Sequence, residues 1–288
     1  MLRTAFCLLF ALAGLFLAAQ APAPAPPASP AKGAGDLMVM PNRIILEGRD
    51  RSAEVMLKNA GQLPASYRIL LRDMVMTANG EVADRAKVPG ERSLSDFLFF
   101  SPRQVDLAAG ETQTVRLQIR KPGDLPDGEY RTHLLFQAIP PPVPAEPLGD
   151  DPGRKLSLSV TMVMGISIPV IVRHGPVKGK VTLSGLRYWQ PDVKGAAPVL
   201  SFKMDREGNR SVRGDLTASV ESGGKLKKGT VLYDLKNVVV YPEIPYRDVH
   251  MPMWQNLDGS LKGTRIKVTF QATEQKLPIE TAYLDMAP

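Results

Sequence analysis

His133, His174 and His250 are the only imidazoles in the 288-residue chain. They lie far apart in sequence and never at the spacing with which one element presents ligands to a metal. Asp150 and Asp151 are adjacent in a Pro/Gly-rich loop, which exposes both and perturbs neither. There is no nucleophile elbow, no Walker loop and no zinc-protease motif. Asn209-Arg210-Ser211 has the form of a glycosylation acceptor but reads as turn sequence. These residues predict no enzyme, no metal site and no cofactor. The patterned residues are apolar instead. In KLSLSVTMVM (155–164), Leu156, Leu158, Val160, Met162 and Met164 alternate with Ser157, Ser159, Thr161 and Val163. A strand here has one wholly apolar face. That face has two possible uses: it fills the core of its own domain, or it is offered to another chain. The methionines suit both, since they fill irregular cores and also surfaces that accept varied apolar partners.

The elements that would position this strand begin after an N-terminal leader. Arg3 is followed by an uncharged, mostly apolar run to Leu17 and by small residues at Ala18, Ala19 and Ala21. This is the layout of a signal peptide, expected over 1–21, and the run is too short for a comfortable membrane span. The single cysteine, Cys7, lies inside it. A mature chain would then lack disulfides and thiol chemistry and would depend on its apolar core. The expected location is the periplasm, without membrane insertion once the signal is removed. Loss of Arg3 leaves 35 basic against 29 acidic residues, so the net charge falls from +7 to +6. The basic residues are scattered and the chain is exported, which argues against nucleic acid. The cluster Lys225, Lys227, Lys228 beside Gly223-Gly224 reads as a solvated turn.

Residues 22–35 are a Pro/Ala-rich linker that cannot build a core. Beyond it, short alternating runs separated by Gly, Pro, Asn and Asp predict an all-β protein of antiparallel sandwiches. One segment, ERSLSDFLFF (91–100), departs from alternation and is expected to hold a helical turn. His174-Gly175-Pro176 divides the strands into domains over 36–175 and 176–288. In the second domain, Glu207-Gly208-Asn209 is expected to close a hairpin.

The stretch LPDGEYRTHLLFQAIPP (125–141) resembles the signature of the periplasmic pilus chaperones, the PapD-like family, through Leu125, Pro126, Asp127, Glu129, Phe136, Ile139, Pro140 and Pro141. MPNRIILEG (40–48) is similar to that family's first strand with its arginine, and SPRQVDLAAGETQTVRLQI (101–119) to its Gly turn and following strand. The resemblance implies two immunoglobulin-like domains set at an angle around an interdomain cleft. It also implies a chaperone that caps pilin-like secreted subunits by donor-strand complementation and passes them to an outer-membrane usher. On this reading Leu156, Leu158, Val160, Met162 and Met164 are the donor-strand residues. Arg43 would anchor the subunit's terminal carboxylate, with Arg173 a weaker candidate, because Pro169 stands where the family places a lysine. The competing reading is a structural or adhesive two-domain envelope protein, in which the strand is ordinary core.

Overall fold

The computed structural model describes residues 36–86, 93–140, 163–253, 261–274 and 276–287. Of the expected donor strand it therefore includes only Met164; Leu156, Leu158, Val160 and Met162 lie outside the described residues, as does the predicted leader.

The first domain runs through β1 (Leu37–Met40), β2 (Ile44–Leu46), β3 (Ser52–Asn59), β4 (Ala65–Arg72), β5 (Met74–Met76), β6 (Val82–Asp84), β7 (Leu98–Ser101), β8 (Gln104–Leu107), β9 (Thr112–Ile119), β10 (Gly128–Ile139) and β11 (Gly165–His174). One sheet has the order β1-β3-β9-β7, the other β2-β11-β10-β4-β8. Alternation decides which faces meet. Val55 and Leu57 on β3 and Val115 and Leu117 on β9 point inward, while Glu54, Lys58 and Arg116 face water. Opposite them pack Tyr67, Ile69, Leu134, Phe136, Ile168 and Val170 from the second sheet. Asn59 is buried at the end of β3 with its amide satisfied: Nδ2 donates to the carbonyls of Leu63 and Leu107 at 2.8 and 3.1 Å, and Oδ1 accepts from the Gly61 N–H at 3.0 Å. The departure from alternation expected over 91–100 is a 3-10 turn, Leu94–Asp96, capped by Ser93.

The chain crosses from one sheet to the other between β1 and β2, and this places Arg43 at the start of a short strand parallel to β11. Pro169 does not break β11. The Met164 carbonyl accepts from the Ala138 N–H at 2.9 Å, so the even-numbered residues of this stretch bond to β10. Odd-numbered Pro169 therefore turns its nitrogen away from that ladder, toward the strand's other edge, where a missing donor costs nothing.

The second domain comprises β12 (Gly179–Trp189), β13 (Val199–Gly208), β14 (Val212–Gly223), β15 (Val231–Val240), β16 (Tyr246–Pro252), β17 (Thr264–Ala272) and β18 (Glu280–Asp285). Its sheets are β12-β13-β16 and β15-β14-β17-β18. The turn at Glu207-Gly208-Asn209 is thus not a hairpin. It carries the chain from one sheet to the other, since β13 pairs with β12 and β16 while β14 pairs with β15 and β17. Both domains are immunoglobulin-like sandwiches.

The two cores touch. Met76 and Ile171, from the first domain, belong to the apolar cluster of the second. Met76 arrives on the hairpin of β5 and β6, closed by the three-residue loop Ala78-Asn79-Gly80: the Thr77 N–H donates to the Glu81 carbonyl at 2.8 Å and the Gly80 N–H to the Thr77 carbonyl at 2.9 Å. Gly80 has φ +81°, and a Cβ there would strike the Arg247 guanidinium at 2.3 Å. The Asp248 N–H donates to the Ala78 carbonyl at 2.7 Å, so the hairpin tip also bonds to the edge strand β16. Met76→Ala is expected to lower unfolding stability by about 2–3 kcal/mol through a cavity shared by both domains. Urea titration checks this, and an unchanged midpoint would mean that the hairpin merely rests on the second domain. Among the described residues no helix is long and apolar enough to cross a membrane, and no group of three or more potential His/Cys/Asp/Glu ligands converges.

Candidate functional site

Strand register aligns the side chains of one sheet face in rows. Ile45 partners Ile171 across β2 and β11, and Ile171 partners Arg131 across β11 and β10. Two residues earlier on β2's approach and on β11, Arg43 shares the parity of Pro169, and Pro169 partners His133. Two residues later, Arg173 partners Glu129. This face meets the loops of the second domain that hold Tyr241, Glu243 and Glu274.

Arg173, whose side chain is 3% exposed, is saturated by carboxylates. Its Nε donates to Glu129 at 3.0 Å, Nη1 to Glu47 at 3.2 Å and Nη2 to Glu274 at 2.7 Å. Burial opposes its charge, but the hydrogen bond to Glu274 and the charge of Glu129 outweigh that and hold its pKa above the ordinary arginine value. Glu129 also accepts from the Ser211 hydroxyl at 2.9 Å. The guanidinium expected as a weaker anchor is thus engaged on all three nitrogens within the protein.

Arg43 is differently placed. Its Nη1 donates to the Tyr241 hydroxyl at 3.2 Å. Nε lies 3.0 Å from Glu274 Oε1 but is misaligned for a hydrogen bond, and Nη2 has no acceptor among the described residues. Glu274 is itself shared, with Arg210 and Arg213 both at 3.9 Å. Sequence reasoning missed Arg131. Its Nη2 donates to Glu243 and to the Met74 carbonyl, its Nη1 is unpartnered among the described residues, and its guanidinium lies 3.5 Å from the Tyr241 ring centroid. A basic residue within a strand otherwise rich in inward-facing apolar groups was the available signal. Tyr241 and Glu274, two domains' length from Arg43 in sequence, left none.

The other edge of β11 is the second feature. β2 covers only Val170 to Val172. From Gly165 to Pro169 the strand bonds to β10 on one side and to no described residue on the other. Ile168, Val170 and Val172 form an apolar stripe in the domain's core, Ile166 is half-covered, and Met164, of the same parity, is 60% exposed. The stripe therefore runs off the end of its own domain. Val163 beside it is exposed as well.

His133, buried across from Pro169, has a pKa lowered to about 4: burial disfavours its charge, Arg131 and Arg43 repel it, and Asp73 only partly offsets them. The unfolded chain takes up a proton near pH 6.5 and the folded one does not. Stability is therefore full above about pH 6.5 and falls as the pH drops toward 4, by at most about 3 kcal/mol from this group. His133→Phe is expected to flatten that part of the profile relative to the parent, in urea titrations at pH 7, 5.5 and 4.5; parallel profiles would mean that His133 titrates normally.

Residues 36–176 match the family model described as "Pili and flagellar-assembly chaperone, PapD N-terminal domain". No curated protein matches the chain. Among solved structures, it is similar to the YadV chaperone, with 17% identity, a TM-score of 0.46, and coverage of 87% of this chain and 100% of that one. The CupB2 chaperone of Pseudomonas aeruginosa has 11% identity and a TM-score of 0.44, with coverage of 86% and 100%. The CsuC–CsuE chaperone–tip adhesion subunit pre-assembly complex of Acinetobacter baumannii gives 15% identity and a TM-score of 0.44, with coverage of 86% and 97%. The match falls on the first domain, which is therefore that of the PapD-like pilus chaperones in a divergent form.

Proposed function

We propose that this chain is a non-enzymatic periplasmic chaperone that binds pilin-like secreted subunits by strand addition and delivers them to an outer-membrane usher. Its N-terminal leader would export it, and the Pro/Ala segment would tether the folded part. The observation that carries this reading is the open edge of β11 from Gly165 to Pro169, continuous with the apolar stripe that leaves the domain at Met164.

The physical argument has two parts. Gly165 and Ser167 turn their backbone N–H and C=O groups toward the uncovered edge, so an incoming strand finds a ready ladder. Leu156, Leu158, Val160 and Met162 continue the parity of Met164 and are the proposed plugs for a partner's incomplete core. Each such side chain contributes roughly 1.5–3 kcal/mol on burial, on the order of 10 kcal/mol together. Ordering and association costs remove a large part of that. Arg43, whose Nη2 has no acceptor among the described residues, is the proposed anchor for the subunit's terminal carboxylate. Arg173 has no free nitrogen to offer, and its role is taken to be structural.

Ser167→Pro tests the edge without touching the β10 ladder, because residue 167 points its N–H outward. The variant is expected to fold with an unchanged thermal midpoint and to recover at least 10-fold less of a pilin-like subunit co-expressed in the periplasm. A Leu158→Glu, Met162→Glu double variant is expected to fold normally and lose capture altogether. Normal capture by both variants would rule out strand addition here, and unfolding of the double variant would place those residues in the protein's own core.

A further inference from the structure

The outward face of the sheet β1-β3-β9-β7 is polar over most of its width. On β9 it carries Thr112, Thr114, Arg116 and Gln118, and on β3 Ser52, Glu54 and Lys58. Three methionines interrupt it: Met38 and Met40 on β1 and Met56 on β3, which are 44%, 45% and 37% exposed. They stand together. Met40 and Met56 are register partners, and Met38 is the neighbour of Met40 on the same face of β1. The Ala60 N–H donates to the Asp36 carbonyl at 2.8 Å, so the even-numbered residues of β1 form the hydrogen-bonded pairs with β3. Backbone spacing then sets the three Cα atoms about 5.5 to 8 Å apart. Exposed Phe99 lies outside the group, two strands from Met56 and beneath the Arg120 guanidinium at 5.1 Å from its ring centroid.

Scattered exposed apolar residues need no explanation, but three adjoining thioethers are a chemical unit. A methionine side chain is long, unbranched and turns about three bonds, so sulfurs from Cα atoms this far apart reach a common point above the sheet. β1 is the edge of its sheet, which leaves that point open on one side. No His/Cys/Asp/Glu group converges among the described residues, and thioethers belong to a different ligand class. They are soft ligands, suited to Cu(I). The surroundings disfavour harder ions. Zinc takes thiolate, imidazole and carboxylate ligands, and the neighbouring carboxylate on this face, Glu54, is paired with Arg116 at 3.1 Å. Lys58, the register partner of Met38, adds a positive charge that opposes a divalent ion more than a monovalent one.

We propose that Met38, Met40 and Met56 form a three-thioether site for a soft monovalent cation, Cu(I). The site lies on the sheet opposite β11 and is independent of strand addition there.

The first probe is Ag(I), a redox-inert ion of the same charge and similar softness. It is titrated into full-length protein carrying Cys7→Ser, so that no thiol competes, with the methionine methyl groups followed by 13C NMR. One equivalent is expected to shift the methyls of Met38, Met40 and Met56 together and to leave exposed Met164 in place; Zn(II) is expected to move none of them. Cu(I) affinity is then measured anaerobically by competition with bicinchoninate. Met38→Leu, Met40→Leu and Met56→Leu each keep an apolar side chain of similar volume. Each is expected to retain the parent's thermal midpoint and to weaken Cu(I) at least 10-fold. Leucine would preserve an apolar docking face, so this swap separates sulfur ligation from hydrophobic contact. The Ag(I) shifts in the parent decide the matter should a variant fold poorly. No methyl shift, a shift of Met164 equal to that of the three, an equal response to Zn(II), or unchanged Cu(I) affinity in any of the three folded variants would each overturn the proposal.

Discussion

One buried guanidinium holds the junction on which everything else depends. Arg173 reaches Glu47 and Glu129 in its own domain and Glu274 in the other. An ion cluster of this sort contributes little net stability relative to an apolar replacement of matching shape, because its desolvation offsets its attraction. Removing one member is different. Without Arg173 the buried Glu129 would lose its direct ion pair and keep only the Ser211 hydroxyl and the more distant charges of Arg206 and Arg210, a loss of about 3–5 kcal/mol. The cluster therefore specifies an arrangement more than it strengthens one. That arrangement presents Tyr241 to Arg43 and Arg131 from the opposite domain.

The apolar and polar parts of the junction divide the labour. Met76 and Ile171 enter the second core, and the β5–β6 hairpin bonds to the edge of β16, which covers an edge otherwise open to pairing. The charged row then needs only to fix rotation and register. β11 links the two: its last residues form the ion cluster, its middle lies in the first core, and its beginning emerges from that core with one edge unpaired among the described residues.

Alternation made most of the first domain legible. In β3 Val55 and Leu57, and in β9 Val115, Leu117 and Ile119, alternate with exposed residues, a local property that needs no knowledge of partners. Arg43 was legible through its resemblance to a known strand, while its neighbours were not. Tyr241 and Glu274 reach it across about 200 residues of chain, and no periodicity encodes such a meeting. The β5–β6 hairpin rests on local turn chemistry, with Gly80 supplying the positive φ that closes its three-residue loop. Glu207-Gly208-Asn209 is a turn as well, but a turn does not say whether the next strand rejoins the same sheet. Pro169 removes one backbone donor, and β11 continues through it because that donor would face the strand's outer edge.

Pro169 has a consequence for length measurement. A strand laid along the open edge can draw backbone donors from Gly165 and Ser167, and then meets a position with none. Sliding that strand by two residues preserves which side chains face inward but moves its end off the row of Arg43 and Pro169. On the proposed strand addition the edge would act as a ruler with a marked zero, and a guest strand would be read by the number of residues between its last paired backbone group and its terminus.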